Sequence, residues 1–186
     1  MSTGTVSIQS GKLLTQEFEQ IFREHSQFVY RTAYSVTGNH ADAEDVLQAI
    51  FVKLLQREMP PRFRTEPRAY LYRWAINQAL NSVRSRKKQN LTDEVDRLEA
   101  PVPNAAADEA IQRNLTAAIA QLKPRTVEIL VLRYGHNYSD AQIAKMLGTS
   151  RGTIAVTLYR ARARLKRLMS AGETLWNATG KAWMKS

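Results

Sequence analysis

Apolar residues recur along this chain at the three- and four-residue steps of an α-helix, and no segment shows the alternation of a half-buried strand. In ADAEDVLQAIFVKLLQR (41–57) they fall on one stripe, made of Val46, Leu47, Ile50, Phe51, Leu54 and Leu55. An earlier helix is predicted over 15–36, with its end near Gly38. A later helical segment, YLYRWAINQALNSVRSRKK, has a weaker apolar stripe. The pattern predicts an all-α fold.

Proline and charge divide the chain into segments. Three prolines between 60 and 67 interrupt the helical pattern, and residues 89–108 combine two more prolines, a run of alanines and an acidic excess. We predict two small helical domains joined by a flexible acidic linker. The predicted segments are a disordered N-terminus (1–14), a first domain (15–88), the linker (89–108), a second domain (109–170) and a tail (171–186).

A sharp corner between two helices is predicted within AQIAKMLGTSRGTIAVTLYRARARLKR (141–167). Gly148 supplies the positive backbone dihedral that the corner needs, and Ser150 is a good N-cap for the next helix. Ala144 is small where the helices cross, and Ile154 fills the angle between them. This spacing is typical of a helix-turn-helix, whose second helix enters the DNA major groove. The alternative is an ordinary helical hairpin, which the basic residues of the second helix disfavour.

Charge is distributed unevenly along the 186 residues, whose formal net charge is +10. Residues 61–90 carry 8 basic side chains against one acidic, and residues 121–170 carry 10 against 2. Between them, residues 91–110 carry 6 acidic side chains against one basic. Two basic segments separated by an acidic strip indicate two surfaces for a polyanion. The alternative is that both are ordinary solvated helix faces.

Composition excludes several kinds of protein. The chain has no cysteine, so neither a disulfide framework nor a thiolate metal site is possible. Its first residues lack the basic start and apolar run of a secretory signal, and no stretch approaches the roughly 18 apolar residues of a membrane span. We expect a cytoplasmic protein without membrane insertion.

Three blocks of sequence, in order, resemble one protein family. They are ADAEDVLQAIF, PRAYLYRWAINQAL and LKPRTVEILVLRYGHNYSDAQIAKMLGTSRGTIAVTLYRARARLKR, with the predicted linker before the third. In these blocks the chain resembles an extracytoplasmic-function (ECF) sigma factor of the sigma-70 family. The resemblance implies a dissociable subunit that directs bacterial core RNA polymerase to promoters and initiates transcription.

The resemblance also implies a role for each domain. The first domain would bind core polymerase and then recognise and melt the promoter minus-ten element, and the second would hold the minus-thirty-five element. Such proteins are usually held inactive by an anti-sigma factor, so this partner is implied beside the polymerase and promoter DNA. No cofactor and no metal are expected.

Three sets of site residues follow from the matched blocks. The core polymerase-binding set is Asp42, Asp45, Gln48 and Phe51. The minus-ten set is Arg62, Arg64, Tyr70, Arg73, Trp74, Asn77, Asn81 and Arg84. The minus-thirty-five set is Ser150, Arg151, Thr153, Thr157, Arg160, Arg162 and Arg164. The minus-ten set combines stacking surfaces, amides and cations, which together suit single-stranded DNA. For Tyr70 and Trp74, packing in the core is the alternative.

The chain departs from the family pattern at several of these positions. Ala49 stands where the family usually has Glu, Ile76 where a basic residue is frequent, and Asn81 where Asp is frequent. In the second helix of the corner, Ala155 and Thr157 replace the usual basic pair. These changes leave the promoter sequence preference open.

Two other functions are weighed against the sigma factor. A free-standing helix-turn-helix regulator would use the same corner, but it needs no minus-ten melting helix. An enzyme acting on nucleic acid is disfavoured because His25, His40 and His136 are scattered and no catalytic or metal-binding cluster is in view.

Overall fold

The computed structural model of the protein describes residues 5–56, 61–93 and 105–169. These residues form helices and their connections, and none of them lies in a β-strand. The helices are α1 (Thr5–Thr37), α2 (His40–Gln56), α3 (Pro61–Thr65), α4 (Pro67–Asp93), α5 (Ala105–Ile119), α6 (Pro124–Leu130), a π-helical segment (Val131–Gly135), α7 (Asp140–Leu147) and α8 (Arg151–Met169). The all-α fold expected from the sequence is confirmed.

The first domain consists of α1 to α4, and α1, α2 and α4 pack around one apolar core. The stripe predicted on α2 is buried at Val46, Ile50, Phe51 and Leu54. α4 is buried on more than one side, because neighbours in sequence such as Leu71 and Tyr72 are both buried. A helix covered on two sides cannot show a single clean stripe, which explains the weak pattern of this segment.

The second domain contains the predicted corner between α7 and α8. Ser139 caps α7 in a capping box, exchanging hydrogen bonds with Gln142. Gly148 ends α7 in the left-handed conformation, with φ of 62° and ψ of 44°. Ile154 is completely buried in the angle between the helices. The helix-turn-helix is therefore confirmed at the residues that predicted it.

Helix ends differ from the predicted segment boundaries. α1 begins at Thr5 rather than near 15, since no proline interrupts the chain there. α4 continues to Asp93 and α5 begins at Ala105, so helix extends into the predicted linker from both sides. The middle of that linker (94–104) and the predicted tail lie outside the described residues.

Tyr72 of α4 joins the two domains by bonding to the backbone of a helix in the second. Its hydroxyl donates a hydrogen bond to the Glu128 carbonyl in α6. α6 continues directly as the π-helical segment, in which the His136 amide donates to the Val131 carbonyl.

His136 fills the same interface from the second domain. Its ring centroid lies 4.4 Å from that of Phe28, and its Nε2 lies 2.8 Å from the Thr32 hydroxyl, both on α1. Because Thr32 donates its hydroxyl hydrogen to the Phe28 carbonyl, Nε2 of His136 donates to the Thr32 oxygen. Burial, assisted by the charges of Arg31 and Arg68, lowers the pKa of His136 to about 4. The imidazole is therefore neutral at physiological pH.

Arginines of the first domain bind backbone carbonyls of the second. Arg31 donates to the Gly135 carbonyl at 3.1 Å. Arg84 donates to the carbonyls of Ala120 and Leu122, at 3.1 and 3.3 Å, just after α5 ends. Carbonyls at a helix C-terminus lack a partner within the helix, so Arg84 caps the C-terminus of α5.

Close backbone approach completes the interface. A Cβ added to Gly135 would lie 2.5 Å from the Ser35 Oγ of α1, so a side chain at this position would force Ser35 to move. Nη2 of Arg68 donates to the Tyr138 hydroxyl at 2.6 Å. The buried apolar residues of both domains form one cluster. We call this packing of the two domains the closed arrangement.

Replacing Tyr72 by Phe should destabilise the closed arrangement, because the ring stays while its buried hydrogen bond to the Glu128 carbonyl is lost. We expect the free energy of unfolding to fall by about 1–3 kcal/mol, as measured by urea denaturation. The matched control is Tyr159→Phe, at a tyrosine that is 70% exposed, and it should change stability by less than about 0.5 kcal/mol. Equal stability of the two variants would contradict a stabilising role for the Tyr72 hydroxyl.

Stability should also fall as the pH is lowered from about 6.5 towards 4. The pKa of His136 is lowered to about 4 in the folded protein, so in this window the unfolded chain binds more protons. The contribution of His136 is therefore fully present above pH 6.5 and is lost below it. Burial also lowers the pKa of His25, which adds a dependence of the same sign.

Urea denaturation at about pH 7 and pH 5 measures this effect in the wild type and in His136→Gln. The wild type should lose about 1–2 kcal/mol more than the variant between the two pH values. Parallel losses would show that the imidazole titrates alike in the folded and unfolded chains.

Candidate polymerase and nucleic-acid interfaces

The exposed face of α4 carries several predicted minus-ten residues in one line. Arg73, Asn77 and Asn81 are four residues apart and exposed, so they project from the same side of the helix. Arg64 is exposed on α3, just before α4. Arg62 also belongs to α3, but its side chain lies outside the described part of the structure.

Two half-buried aromatic residues lie beside this line. The rings of Tyr70 and Trp74 meet edge to face, with centroids 5.8 Å apart, and Tyr70 meets the buried Phe63 at 5.5 Å. Each ring is thus held by packing, while helical periodicity places both on the same side of α4 as Asn77. Both rings therefore pack against their neighbours and still expose part of their surface.

Arg84, the last residue of the minus-ten set, has a different environment. Its guanidinium is held by the Ala120 and Leu122 carbonyls of the second domain. In the closed arrangement it therefore binds protein, and the sequence pattern gave no sign of this contact.

α8 buries one stripe and exposes the opposite side. Ile154, Leu158 and Leu165 are buried against the rest of the second domain. Arg160 and Arg164 project from the exposed side, and Arg151 is exposed at its first turn. These three arginines of the minus-thirty-five set are accessible to a polyanion.

The other four members of the minus-thirty-five set have local partners. The Ser150 hydroxyl caps α8 by accepting from the Thr153 amide at 3.1 Å, and the two hydroxyls lie 2.8 Å apart. The Thr157 hydroxyl donates to the Thr153 carbonyl at 2.7 Å. Arg162 is half-buried and donates to the Tyr134 hydroxyl at 3.0 Å. In this structure these four side chains bond to the protein itself and stabilise α8 and its packing.

The predicted polymerase-binding set is split by the structure. Asp45 and Gln48 are exposed on α2. Asp42 is paired with Arg86 of α4, and only 15% of its side chain is exposed. Phe51 is buried beside Phe22, with ring centroids 4.8 Å apart, so its edge does not reach the surface. Phe51 is predicted both on the buried apolar stripe, from periodicity, and on the polymerase-binding surface, from the family resemblance. The structure agrees with the first prediction, because Phe51 is buried.

Exposed apolar residues were missed by the sequence analysis. Around Phe51 these are Phe22, Val52 and Leu55, which are 42%, 49% and 62% exposed. On α8 they are Val156 and Tyr159, at 48% and 70%. The pattern places Leu55 on the buried stripe, which is wrong, because Leu55 lies at the edge of that stripe and is mostly exposed. Whether such residues are exposed or belong to the core depends on which neighbouring helices cover them, and the sequence pattern does not show this.

Comparison with known proteins identifies the family. Family models match at Sigma-70 region 2 over residues 21–89 and at Sigma-70, region 4 over residues 112–165. The RNA polymerase sigma-E factor of Streptomyces coelicolor is 31% identical over 150 residues, which cover 81% of this chain and 84% of that protein. This chain belongs to the ECF family of RNA polymerase sigma factors.

Two further similarities accompany this result. The ECF RNA polymerase sigma factor SigE of Mycolicibacterium smegmatis is 30% identical over 158 residues, covering 80% of this sigma factor and 60% of the relative. A co-crystal structure of the sigma factor RpoE with the anti-sigma factor NepR, from Bartonella quintana, matches at 22% identity and a TM-score of 0.47. That match covers 83% of this chain and 98% of the other.

Membership decides between the functions that the sequence left open. A free-standing regulator needs only the helix-turn-helix, whereas this sigma factor carries both sigma-70 regions in order. It is therefore a transcription initiation factor that works with RNA polymerase. Among the described residues, no helix is long and apolar enough to cross a membrane, and no cluster of His, Asp and Glu forms a metal site.

The structure explains one departure from the family pattern. Ile76 is completely buried and lies one turn after Tyr72 on the same stripe of α4. A basic residue here would place a charge in the shared core at a large free-energy cost. The isoleucine in this sigma factor therefore suits the closed arrangement.

Proposed function

We propose that α8 holds the promoter minus-thirty-five element and that the exposed line of α4 binds the minus-ten element. The observation that best supports this is the geometry of α8, whose buried stripe fixes it in the helix-turn-helix while Arg160 and Arg164 face outward. A major groove about 12 Å wide accepts one helix, and flanking guanidinium groups neutralise phosphates.

On α4, the proposed site combines the three kinds of group that single-stranded DNA needs. Arg73 supplies a cation, Asn77 and Asn81 supply amides, and the accessible side of Trp74 supplies a stacking surface. Displacing a base from the duplex costs a few kcal/mol, so a site that accepts the displaced base favours opening.

The polymerase-binding surface in this proposal is the exposed side of α2. Asp45 and Gln48 lie there beside Val52 and Leu55, so polar and apolar groups are interleaved. Exposed apolar side chains beside polar ones are typical of a protein interface. Phe51 supports this surface from below.

The closed arrangement has to open before both promoter elements are held. Their names place the elements about 25 base pairs apart, which is roughly 85 Å of duplex at about 3.4 Å per pair. A compact chain of this length is only about 40 Å across. The domains must therefore separate, which breaks the Tyr72 and His136 contacts and releases Arg84 to join the minus-ten set.

The partners in this proposal are core RNA polymerase, promoter DNA and an anti-sigma factor, all acting in the cytoplasm. An anti-sigma factor would inhibit by covering the exposed sides of α2 and α8, or by holding the domains closed.

Val52→Glu and Leu55→Glu should each weaken the binding of core polymerase by at least roughly ten-fold, because each buries an unpaired charge at the interface. Gel filtration with bacterial core RNA polymerase measures co-elution, and a titration gives the affinity. Gln27→Glu adds the same charge at an exposed position of α1 and should co-elute like the wild type. Unchanged affinity of both variants would place the core-binding surface elsewhere.

Arg160→Ala should weaken the binding of the holoenzyme to promoter duplexes of any sequence. Losing one phosphate contact lowers the slope of log affinity against log salt by roughly one. Arg113→Ala, which removes an exposed arginine from α5, is the control and should leave this slope unchanged. If the two variants gave equal slopes, Arg160 would not contact a phosphate.

A further inference from the structure

The centre of the exposed face of α8 is apolar. At 100° per residue, Val156 lies opposite the buried stripe, and Tyr159 lies one turn further along on the same side. They are 48% and 70% exposed, although both are large hydrophobic residues. Ala163 continues this face and is also exposed. Basic residues flank it on both sides and at its C-terminal end, namely Arg160 and Arg164, Arg151 and Lys166, and Arg167. The proposed groove-binding surface therefore has an apolar centre and a cationic rim.

Gly152 extends the same face towards the start of α8. Its backbone is helical without a positive φ, and an added Cβ would meet only the Ser150 Oγ, at 3.8 Å. Neither the backbone nor the packing therefore requires glycine here, although glycine is a poor helix former. Its missing side chain lets a ligand approach the helix closely beside Val156.

The polar candidates on α8 are poorly placed to distinguish bases. The hydroxyls of Ser150 and Thr153 pair with each other, and that of Thr157 bonds its own helix. Ala155 offers no polar group. Recognition by hydrogen bonds would therefore fall to the arginines on the rim, whereas the centre of the face offers only apolar contact.

We propose that α8 recognises thymine methyl groups in the major groove through Val156 and Tyr159, with Gly152 allowing the helix to approach. The proposal rests on the proposed placement of α8 in the minus-thirty-five element. Thymine is the DNA base that presents a methyl group in the major groove, and apolar side chains are its usual partners. The rim of Arg151, Arg160, Arg164 and Lys166 argues for DNA over an apolar protein partner, because it complements phosphates.

The test starts from a duplex library randomised upstream of the minus-ten element. The full chain with bacterial core RNA polymerase selects from this library, and sequencing identifies enriched positions. We expect thymine to be enriched at one or more of them. Each such thymine is then replaced by deoxyuridine, which lacks only the methyl group, and the affinity should fall roughly four-fold per methyl.

Variants connect this loss to particular residues. At the thymine that Val156 contacts, Val156→Ala should reduce the difference in affinity between the thymine and deoxyuridine duplexes, whereas Val156→Ile should keep it. Arg160→Ala is the matched control, because it should weaken binding to both duplexes by the same factor. Gly152→Ala should bind several-fold more weakly while its unfolding midpoint stays equal to the wild type or rises.

The outcomes separate this inference from the proposed function. Enrichment of an element without thymine, or equal binding of thymine and deoxyuridine duplexes by the wild type, overturns methyl recognition and leaves the placement of α8 intact. Selection of no sequence upstream, with an unchanged salt slope for Arg160→Ala, overturns the placement as well. Wild-type affinity of Gly152→Ala overturns the close approach.

Discussion

The closed arrangement depends on one buried hydroxyl group that bonds the backbone of a helix in the other domain. Tyr72 of α4 donates this hydrogen bond to the Glu128 carbonyl of α6. Burial and the nearby Glu128 carboxylate raise the pKa of Tyr72, so its hydroxyl keeps the proton that it donates. The π-helical segment that follows turns His136 towards α1. A backbone carbonyl of α6 therefore accepts a hydrogen bond from the other domain, and separating the domains removes it.

Local signals in the sequence were sufficient for the helices and the corner. The α2 stripe, the capping box at Ser139 and the left-handed turn at Gly148 each depend on residues within a few positions of one another. The exposed line of α4 followed from the same periodicity, since Arg73, Asn77 and Asn81 repeat every four residues. The roles of these residues in DNA binding remain predictions.

The domain interface left no such signal, because its partners are distant in sequence. Tyr72 and Glu128 are 56 positions apart, and Thr32 and His136 are 104 apart. His136 looked like a scattered histidine and Arg84 like a DNA contact, since neither residue reveals its partner locally. Phe51 and Leu55 were misplaced for a related reason: the edge of a stripe is buried or exposed according to which helix covers it.

The strength of this interface limits what the free sigma factor can bind. Each of its hydrogen bonds contributes only about 0.5–1.5 kcal/mol net, but the shared apolar core adds to them. A partner that requires separated domains binds with an affinity reduced by the fraction of chains that are open. Promoter DNA that needs both domains is therefore disfavoured for the free protein, whereas in our proposal a polymerase that binds α2 first supplies free energy for opening. In the same proposal Arg84 exchanges its carbonyl partners for DNA, so part of the lost interface would be replaced.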